Sequence, residues 1–349
     1  MKKLAIVTLF IALVSACGNS SEGTSETVEN NQSMYVPEHE KGLLEKATRF
    51  FSALPAQAVS EDNPITPEKI ALGKTLYMDT QLSKDGNNSC NSCHGLNTFG
   101  VDNKQFSEGD LGENGGRNSP SVYNAALHFT QFWDGRAATI EEQAGMPILN
   151  PVEMNIPNEK FLIDRLKGIE SYNELFVAAF PNDKDPLSYK NLTYAIGAFE
   201  RTLLTPSVFD DYLNGDEGAL NKDQKKGLYD FIEVGCITCH TGSGLGGNMF
   251  QKFGLYGDYW ELTGSEKIDE GRFEVTGNEA DKHVFKVPSL RNIEKTFPYL
   301  HDGSVSDLSE VIRIMGKLQL NKDLNEEQVL SIQNFLKSLT GEINSDANS

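Results

Sequence analysis

The chain has 349 residues, and its 31 basic residues against 50 acidic ones give a net charge of −19 at pH 7. Such an excess of negative charge excludes nucleic acid as a natural partner. The hydrophobic share of 38% is sufficient for packed cores, and the length is sufficient for two domains.

The N-terminus has the pattern of a secretory signal peptide. Two lysines precede residues 4–14, which are apolar apart from one threonine and too short for a stable membrane span. Small residues precede Cys17, as in a bacterial lipoprotein signal, so residues 1–16 are predicted to be removed and Cys17 to be lipidated. The alternative is an ordinary signal peptide with a stray cysteine. Residues 17–36 are predicted to be a flexible tether that holds an exported, periplasmic-side protein on a bacterial membrane.

Beyond the tether the hydrophobic pattern is helical, and strand signals are sparse. Helices are predicted at residues 42–54, from Thr66 through Tyr77, after Thr139, at 171–180, 188–204, 221–234 and 306–316, and from Asn325 to a stop at Gly341, with capping boxes at Thr139, Ser171 and Asn325. The sequence Thr205-Pro206 predicts a domain boundary. The fold class is therefore mainly α, with two cytochrome-c-like domains at residues 37–204 and 205–342 and a tail at 343–349.

Two copies of one motif carry the chemistry of the chain. The sequences CNSCH at residues 90–94 and CITCH at residues 236–240 match CxxCH, the signature of covalent c-type haem attachment. The two thiols bond to the vinyl groups of haem, and the histidine binds the iron. A single CxxC pair would also suit a zinc site or a redox dithiol, but the complete pattern occurs twice. Two covalent haems c are predicted, one in each domain, bound by Cys90, Cys93, His94, Cys236, Cys239 and His240.

An internal repeat relates the two halves of the chain. The sequence PSVYN at residues 120–124 matches PSLRN at residues 288–292. An Asp-Gly pair follows ten residues after the asparagine of each motif, at Asp134 and at Asp302. Each half is therefore predicted to be one copy of a duplicated unit.

The repeat predicts that the two irons are ligated differently. Aligned without gaps, it places Met315 opposite Pro147. Because a thioether commonly binds the iron of cytochromes c opposite the histidine, Met315 is predicted to bind the second iron; a core methionine is the alternative. Proline has no donor, so the first iron is predicted to keep a position open for a small molecule. The neighbouring Met146 could close that position if the loop were shifted.

Over residues 40–342 the chain resembles the bacterial dihaem cytochrome c peroxidases. The resemblance is carried by the first haem motif, QFWDGR at residues 131–136, VPSLRN at 287–292 and PYLHDG at 298–303. It implies reduction of hydrogen peroxide to water with electrons from a small cytochrome c or a copper protein (cupredoxin). Electrons would enter at the high-potential C-terminal haem and pass to the peroxidatic N-terminal haem. If the negative charge is clustered on one face, that face would suit a basic donor; plain solubility is the alternative. A homodimer is compatible with the resemblance.

The resemblance also implies individual site residues. Glu153 corresponds to the distal glutamate of the family, Gln143 to its distal glutamine, and Trp133 to the tryptophan between the haems. A carboxyl group in a partly apolar pocket can take a proton from one peroxide oxygen and return it to the other, although a loop glutamate alone would indicate only a solvated charge. A calcium ion is implied at Asn118, Thr296 and Pro298, the last two through carbonyl oxygens.

One position departs from the family pattern. Many members carry a histidine 16 residues after the first proximal histidine, and it blocks the peroxidatic iron until the other haem is reduced; here that position is Asp110. A carboxylate replaces it poorly, and Lys104 would have to lose its proton before it could bind iron. The first haem is therefore predicted to be open in the oxidised protein.

Two other functions are the alternatives to a peroxidase. A dihaem electron-transfer cytochrome would have Met146 or another residue on the first iron. A dihaem oxidase would act on a protein or organic substrate. The related enzymes that oxidise tryptophans in a partner protein have tyrosine at the position of Met315, so the methionine favours the peroxidase.

Overall fold

The structure is a computed structural model that describes residues 37–343. This part of the chain contains thirteen α-helices, short 3₁₀ turns and one antiparallel sheet, in which β1 (Phe250–Lys252) pairs with β2 (Val284–Lys286). The helices are α1 (Leu43–Ala47), α2 (Pro67–Met78), α3 (Cys90–Cys93), α4 (Ile140–Leu149), α5 (Glu159–Lys167), α6 (Glu170–Ala179), α7 (Tyr189–Glu200), α8 (Val208–Leu213), α9 (Lys222–Val234), α10 (Tyr259–Thr263), α11 (Phe273–Thr276), α12 (Leu308–Leu320) and α13 (Glu326–Lys337).

The first half is built on the crossing of α2 and α7. Thr66 caps α2 by accepting a hydrogen bond from the N–H of Lys69, and Ser188 caps α7 in the same way. The crossing leaves no space for a side chain at Gly73, because a Cβ atom there would lie 1.9 Å from the carbonyl oxygen of Ala195. Helix α4 also packs against α7, so these helices together support one wall of the first cavity described below.

The second half repeats this construction with α9 and α13. Asn221 and Asn325 cap these helices in capping boxes, and the box at Asn325 is the one that the sequence analysis predicted. The helices cross at Gly227, where a Cβ atom would lie 1.9 Å from the carbonyl oxygen of Ser331. Helix α12, which Asp307 caps, packs against α13. The same close approach of two helices therefore requires glycine in both halves.

The buried side chains form two hydrophobic cores. The first includes Leu72, Leu76, Ile196 and Phe199, and the second includes Phe209, Phe231, Ile312 and Phe335. Leu43, Ala47 and Phe51 precede the first half in sequence but pack in the second core. The division between the cores falls near Thr205, with this N-terminal segment as the exception.

Thr205 joins the two copies of the repeat. Asn124 and Asn292 end the matching motifs, and both have a left-handed backbone with φ of 61°. Their side-chain amides donate to the hydroxyl oxygen of Thr205 over 2.8 and 2.9 Å. Two isolated β-bridges, Gln131–Ala137 and Tyr299–Val305, are separated along the chain by the same number of residues as these two asparagines. The structure thus agrees with the duplication that the sequence predicts.

One predicted helix end is wrong because of a tertiary contact, and one predicted helix start is wrong because of a local turn. The predicted helix at residues 42–54 is limited to α1, because the chain then extends toward the second half, where the N–H of Leu54 donates to Asp210. Ser171 does not cap α6. The N-cap of that helix is Ile169, which directly follows the turn at the end of α5.

Three further details differ from the sequence prediction. Helix α12 starts and ends later than the predicted range 306–316, and α13 stops at Lys337 rather than at Gly341. Thr139 does cap α4, but the side chain of Glu142 accepts from the N–H of the preceding alanine instead of completing the box. Each of these differences leaves the order of the elements unchanged.

Among residues 37–343, no helix is both long enough and apolar enough to cross a membrane. The predicted signal peptide, the lipidated Cys17 and the tether lie outside the described residues, as does most of the predicted tail. Those assignments therefore stay predictions.

Candidate haem-binding and active site

The first CxxCH motif is a capped helical turn. Ser89 caps α3 and exchanges hydrogen bonds with Ser92, which places the two cysteines at the ends of one turn. The Nδ1 atom of His94 bonds to the carbonyl oxygen of Pro120 over 2.9 Å, so its Nε2 atom is left for a metal. Burial lowers the pKa of His94 and thus favours the neutral imidazole that binds iron.

The second motif positions its histidine in the same way. A 3₁₀ turn at Cys236–Thr238 carries the first thiol, and the Nδ1 atom of His240 bonds to the carbonyl oxygen of Leu245 over 2.9 Å. Burial lowers the pKa of His240 as well. None of the four cysteines among the described residues forms a disulfide, so the thiols are available for bonds to haem vinyl groups.

The first motif opens onto a cavity in the first half. Cys90, Cys93 and His94 lie on its wall. Helix α4 and the loop after it supply further lining residues, namely Gln143, Pro147 and Glu153. Two thiols and one imidazole around a cavity fit covalently bound haem, and the proline that faces the same space offers no ligand for its iron.

The second motif opens onto a cavity of its own. Cys236, Cys239 and His240 line it together with Met315 of α12. An imidazole and a thioether that share one cavity fit a haem with two protein ligands. Met146 of α4, the alternative ligand for the first iron, is 36% exposed and lines neither cavity. The structure thus places Pro147 on the first cavity and Met315 on the second, and their different roles at the two irons stay predictions.

Glu153 is held in the first cavity with its carboxylate partly desolvated. The side-chain amide of Asn150 donates to it over 2.7 Å. Burial raises the pKa of Glu153, while the charge of Arg136 and the bond from Asn150 oppose that shift. A carboxyl group with a raised pKa exchanges protons closer to neutral pH than an exposed one does. Arg136 lines the same cavity.

Trp133 lies on the walls of both cavities. Its indole N–H donates to the carbonyl oxygen of Asn118 over 2.9 Å, and its own carbonyl oxygen accepts from the N–H of Lys286 over 2.7 Å. Trp133, like its neighbour Phe132, therefore lies between the two candidate haem sites. The bond to Asn118 orients the indole, and the bond from Lys286 ties its backbone to the second half of the chain.

Comparison with known proteins agrees with this geometry. A family model described as di-haem cytochrome c peroxidase matches residues 67–218. The cytochrome c551 peroxidase of Nitrosomonas europaea is 42% identical over 290 residues, which are 82% of this chain and 84% of the relative. The chain belongs to the di-haem cytochrome c peroxidase family. It is therefore a cytochrome c peroxidase, and haem c is the cofactor that its two motifs bind.

Two further comparisons support the same assignment. The cytochrome c551 peroxidase of Pseudomonas aeruginosa is 42% identical over 301 residues, which are 86% of each chain. A crystal structure of a MauG-like protein associated with microbial copper homeostasis matches with a TM-score of 0.76 at 32% identity, over 85% of this chain and 96% of that one. The peroxidase thus has the mainly α fold with two cytochrome-c-like domains that the sequence predicts.

The three residues predicted to bind calcium lie on one cavity wall of the peroxidase. Asn118, Thr296 and Pro298 all line the second cavity. The side-chain amide of Asn118 donates to the carbonyl oxygen of Lys104 over 2.9 Å, which ties the wall to the loop after the first haem motif. One amide and two carbonyl groups would offer the oxygen ligands that Ca²⁺ prefers, with water completing its six to eight ligands, and calcium binding here stays a prediction.

Asp110 is directed to the backbone rather than to the first cavity. Its buried carboxylate accepts hydrogen bonds from the N–H groups of Asp85 and Asn87 over 2.7 and 3.1 Å, and it does not line the cavity. Its own N–H donates to the carbonyl oxygen of Glu153 over 2.7 Å. Lys104, the other candidate from this loop, does not line the cavity either. The loop is thus anchored beside the active site without presenting a ligand from these two positions.

Several residues of the site were missed by the sequence analysis. Arg117 joins the two halves through two bonds to Asp269, of 2.7 and 2.8 Å, and one to Glu274 of 2.9 Å. Lys286 is buried beside His128, with 3.2 Å between Nζ and Nδ1, and both residues line both cavities. Lys286 directly precedes the VPSLRN motif, and this position could have indicated that it belongs to the site. The partners of Arg117 are distant from it in sequence, so no sequence pattern indicated its role.

Proposed function

We propose that this peroxidase reduces hydrogen peroxide at the N-terminal haem with electrons that enter at the C-terminal haem. The donor would be a small cytochrome c or a copper protein, and the net charge of −19 would favour a basic donor. Two electrons and two protons convert one peroxide into two waters. When bound, the two haems supply the redox chemistry that breaks the oxygen–oxygen bond.

The observation that carries this proposal is the contrast between Pro147 and Met315. The two residues occupy matched positions of the repeat, and each lines the cavity of its own half. A thioether opposite the histidine raises the reduction potential of a haem, which suits a site that receives electrons. A cavity with proline at that place leaves room for a small oxidant.

The residues of the first cavity have separate roles in the proposed reaction. The carboxylate of Glu153 takes a proton from one oxygen of peroxide and returns it to the other oxygen as the bond between them breaks. Gln143 would hold peroxide by a hydrogen bond from its amide. Trp133, between the cavities, would mediate electron transfer from the second half. Calcium at Asn118, Thr296 and Pro298 would hold the wall between the halves in place.

A pure electron carrier finds less support in the structure. It would need a ligand on the first iron, and the candidate Met146 is exposed and outside the cavity. An oxidase of a protein substrate remains the second function to test, because a MauG-like protein is among the structural neighbours. Peroxide turnover with a reduced cytochrome distinguishes a peroxidase from such an oxidase, since only the peroxidase oxidises the cytochrome continuously.

The test of the proposal is Glu153→Gln, which keeps the shape of the side chain but removes its proton exchange. Turnover with peroxide should fall on the order of a hundredfold or more, while both haems stay attached. Because burial raises the pKa of Glu153 above its ordinary value of 4.5, the wild-type rate should fall as the pH drops through this raised pKa. That acidic limb should be lost in the variant.

The control for this test is Glu159→Gln at the exposed start of α5. It removes one carboxylate from the same half without contact to the cavity, so its turnover and its pH profile should equal those of the wild type. Unchanged turnover in the Glu153 variant would remove that residue from the mechanism.

We also propose that the protein is exported and lipid-anchored through Cys17. The proposal rests on the apolar run at residues 4–14 and on the small residues before the cysteine. Mass analysis of the mature N-terminus tests it: a diacylglyceryl group on Cys17 is expected, and an unmodified N-terminus at another residue would contradict it.

A further inference from the structure

Glu200 is a buried carboxyl group of the first cavity to which the proposed reaction assigns no role. It is the last residue of α7, it is only 5% exposed, and it lines the cavity of the first haem motif. Its Oε2 atom is buried and has no hydrogen-bond partner among the described residues. A buried polar atom without a partner is costly, so this position indicates a role in the cavity.

The internal repeat provides a comparison for this residue. The crossing at Gly73 brings it against Ala195 and Phe199, and the crossing at Gly227 makes the same contacts with Ser331 and Phe335. The residue after each of these phenylalanines is Glu200 in the first half and Leu336 in the second. Leu336 lines the second cavity as Glu200 lines the first. The framework therefore accepts an apolar side chain here, and only the peroxidatic half carries an acid.

The surroundings of Glu200 leave it without a counter-ion of its own. The guanidinium of the adjacent Arg201 binds Glu141 of α4 through two bonds, of 2.8 and 2.9 Å. Glu141 also accepts from Asn63 over 2.9 Å. Two buried carboxyl groups thus share one arginine, and that arginine is committed to Glu141. The charged or titratable groups that face Glu200 are Glu141 of α4, Arg201, Tyr77 of α2 and Cys90 of α3.

We propose that Glu200 is the proton-holding group of the first haem cavity, which binds a proton when an electron arrives there and releases it when the electron leaves. One electron adds one negative charge to the cavity. One proton from solvent converts the Glu200 carboxylate to the neutral acid and cancels that charge. The second cavity has Leu336 at the matched place and would bind no proton there.

The electrostatics of the cluster agree with this role. Burial, and then the negative charge of Glu141, raise the pKa of Glu200 to about 8, against the opposing charge of Arg201. Below that pH the group is neutral, so substitution by glutamine should change little. Above that pH a carboxylate in the cavity disfavours added negative charge. The reduction potential of the first haem should therefore fall with rising pH in this range.

The experiment is a spectroelectrochemical titration of the holoenzyme between about pH 6 and pH 10, with each haem followed separately. In the wild type, the potential of the first haem should fall above about pH 8. In Glu200→Gln that decrease should disappear, and the potential at low pH should match that of the wild type. The potential of the second haem should be unaffected by the substitution. None of these readouts depends on peroxide turnover.

Two control variants locate the effect. Glu174→Gln removes an exposed acid of α6 in the same half and should keep the wild-type pH dependence. Glu153→Gln removes another acid of the cavity and should also keep it, because the effect is assigned to Glu200. An unchanged pH dependence in Glu200→Gln, or its loss in Glu153→Gln alone, would overturn the proposal.

A measurement on the wild type covers the case in which the Glu200 variant fails to fold. The infrared difference spectrum between reduced and oxidised enzyme above pH 8 should contain a protonated-carboxyl band that appears on reduction of the first haem and shifts in heavy water. Absence of such a band would also overturn the proposal.

Discussion

The two halves of the peroxidase share a framework and differ in a few cavity side chains. In each half, two helices cross at a glycine, Gly73 or Gly227, and an asparagine binds the shared Thr205. The cavities differ at matched positions, where the first has Pro147 and the second has Met315. Duplication thus gives each half one CxxCH motif beside one cavity, and we propose that single side chains determine what each iron can bind.

The substitution Pro147→Met should have the largest effect, because it removes the difference between the two cavities at their matched positions. The substitution gives the first cavity the side chain that the second has at the same place, so a thioether should close the first iron. The rate of reaction with peroxide should then fall on the order of a hundredfold or more. Stopped-flow mixing with peroxide measures it. Pro147→Ala removes the proline without adding a donor and should retain fast reaction; equal losses in both variants would contradict the account.

The shared framework is tested by Thr205→Val. Two buried amide groups, from Asn124 and Asn292, lose their acceptor, so the free energy of unfolding should fall by about 2 kcal/mol. Denaturant unfolding of the holoprotein measures this. The control is Thr202→Val at a nearby exposed position, which should cost less than about 1 kcal/mol. A loss at Thr205 no larger than at Thr202 would show that the hydroxyl does not hold the copies together.

The substitution Met315→Ala removes the thioether from the second cavity. Without the thioether, the second haem should lose its low-spin spectrum and its high potential, and turnover with a reduced cytochrome should fall about tenfold. Reaction of the first haem with peroxide should persist. Met146→Ala removes an exposed methionine of the first half and should change none of these values. A retained low-spin second haem in Met315→Ala would assign the ligand to another residue.

The smallest expected effect is on the rate of electron transfer between the two haems. Trp133→Phe keeps an aromatic ring but loses the N–H that bonds to Asn118. Electron transfer between the haems should slow about threefold, which corresponds to less than about 1 kcal/mol of activation free energy. Flash reduction of the second haem followed by optical detection of the first measures it. Trp260→Phe, the other tryptophan of the chain, is the control and should leave the rate unchanged.

Local rules were sufficient for much of the fold. The helix starts predicted at Thr66, Ser188, Asn221 and Asn325 depend on residues within one helical turn, and all four residues are N-caps in the structure. The helix predicted at residues 42–54 failed because its second part bonds to residues that are distant in sequence. Such a competition between helix and tertiary contact cannot be predicted from periodicity.

The site residues likewise fall into those that the sequence predicts and those that it does not. Cys90, His94 and the pair Pro147–Met315 follow from motif spacing and from the repeat, and the structure places them around the two cavities. The assignments of Glu153 and Trp133 came from family resemblance, and their catalytic roles stay predictions. Glu200 and the link from Arg117 to Asp269 depend on side chains brought together by folding, so the sequence alone did not indicate them.

The central claim is that the first iron is open and the second is closed in the oxidised protein. An electron paramagnetic resonance spectrum of the fully oxidised holoenzyme tests it directly, because the signal of each iron reports its axial ligands. The account predicts one high-spin ferric signal from the haem of His94 and one low-spin signal from the haem of His240 and Met315. Addition of peroxide without prior reduction should change the high-spin signal. Two low-spin signals, with no reaction until an electron is added, would contradict the account.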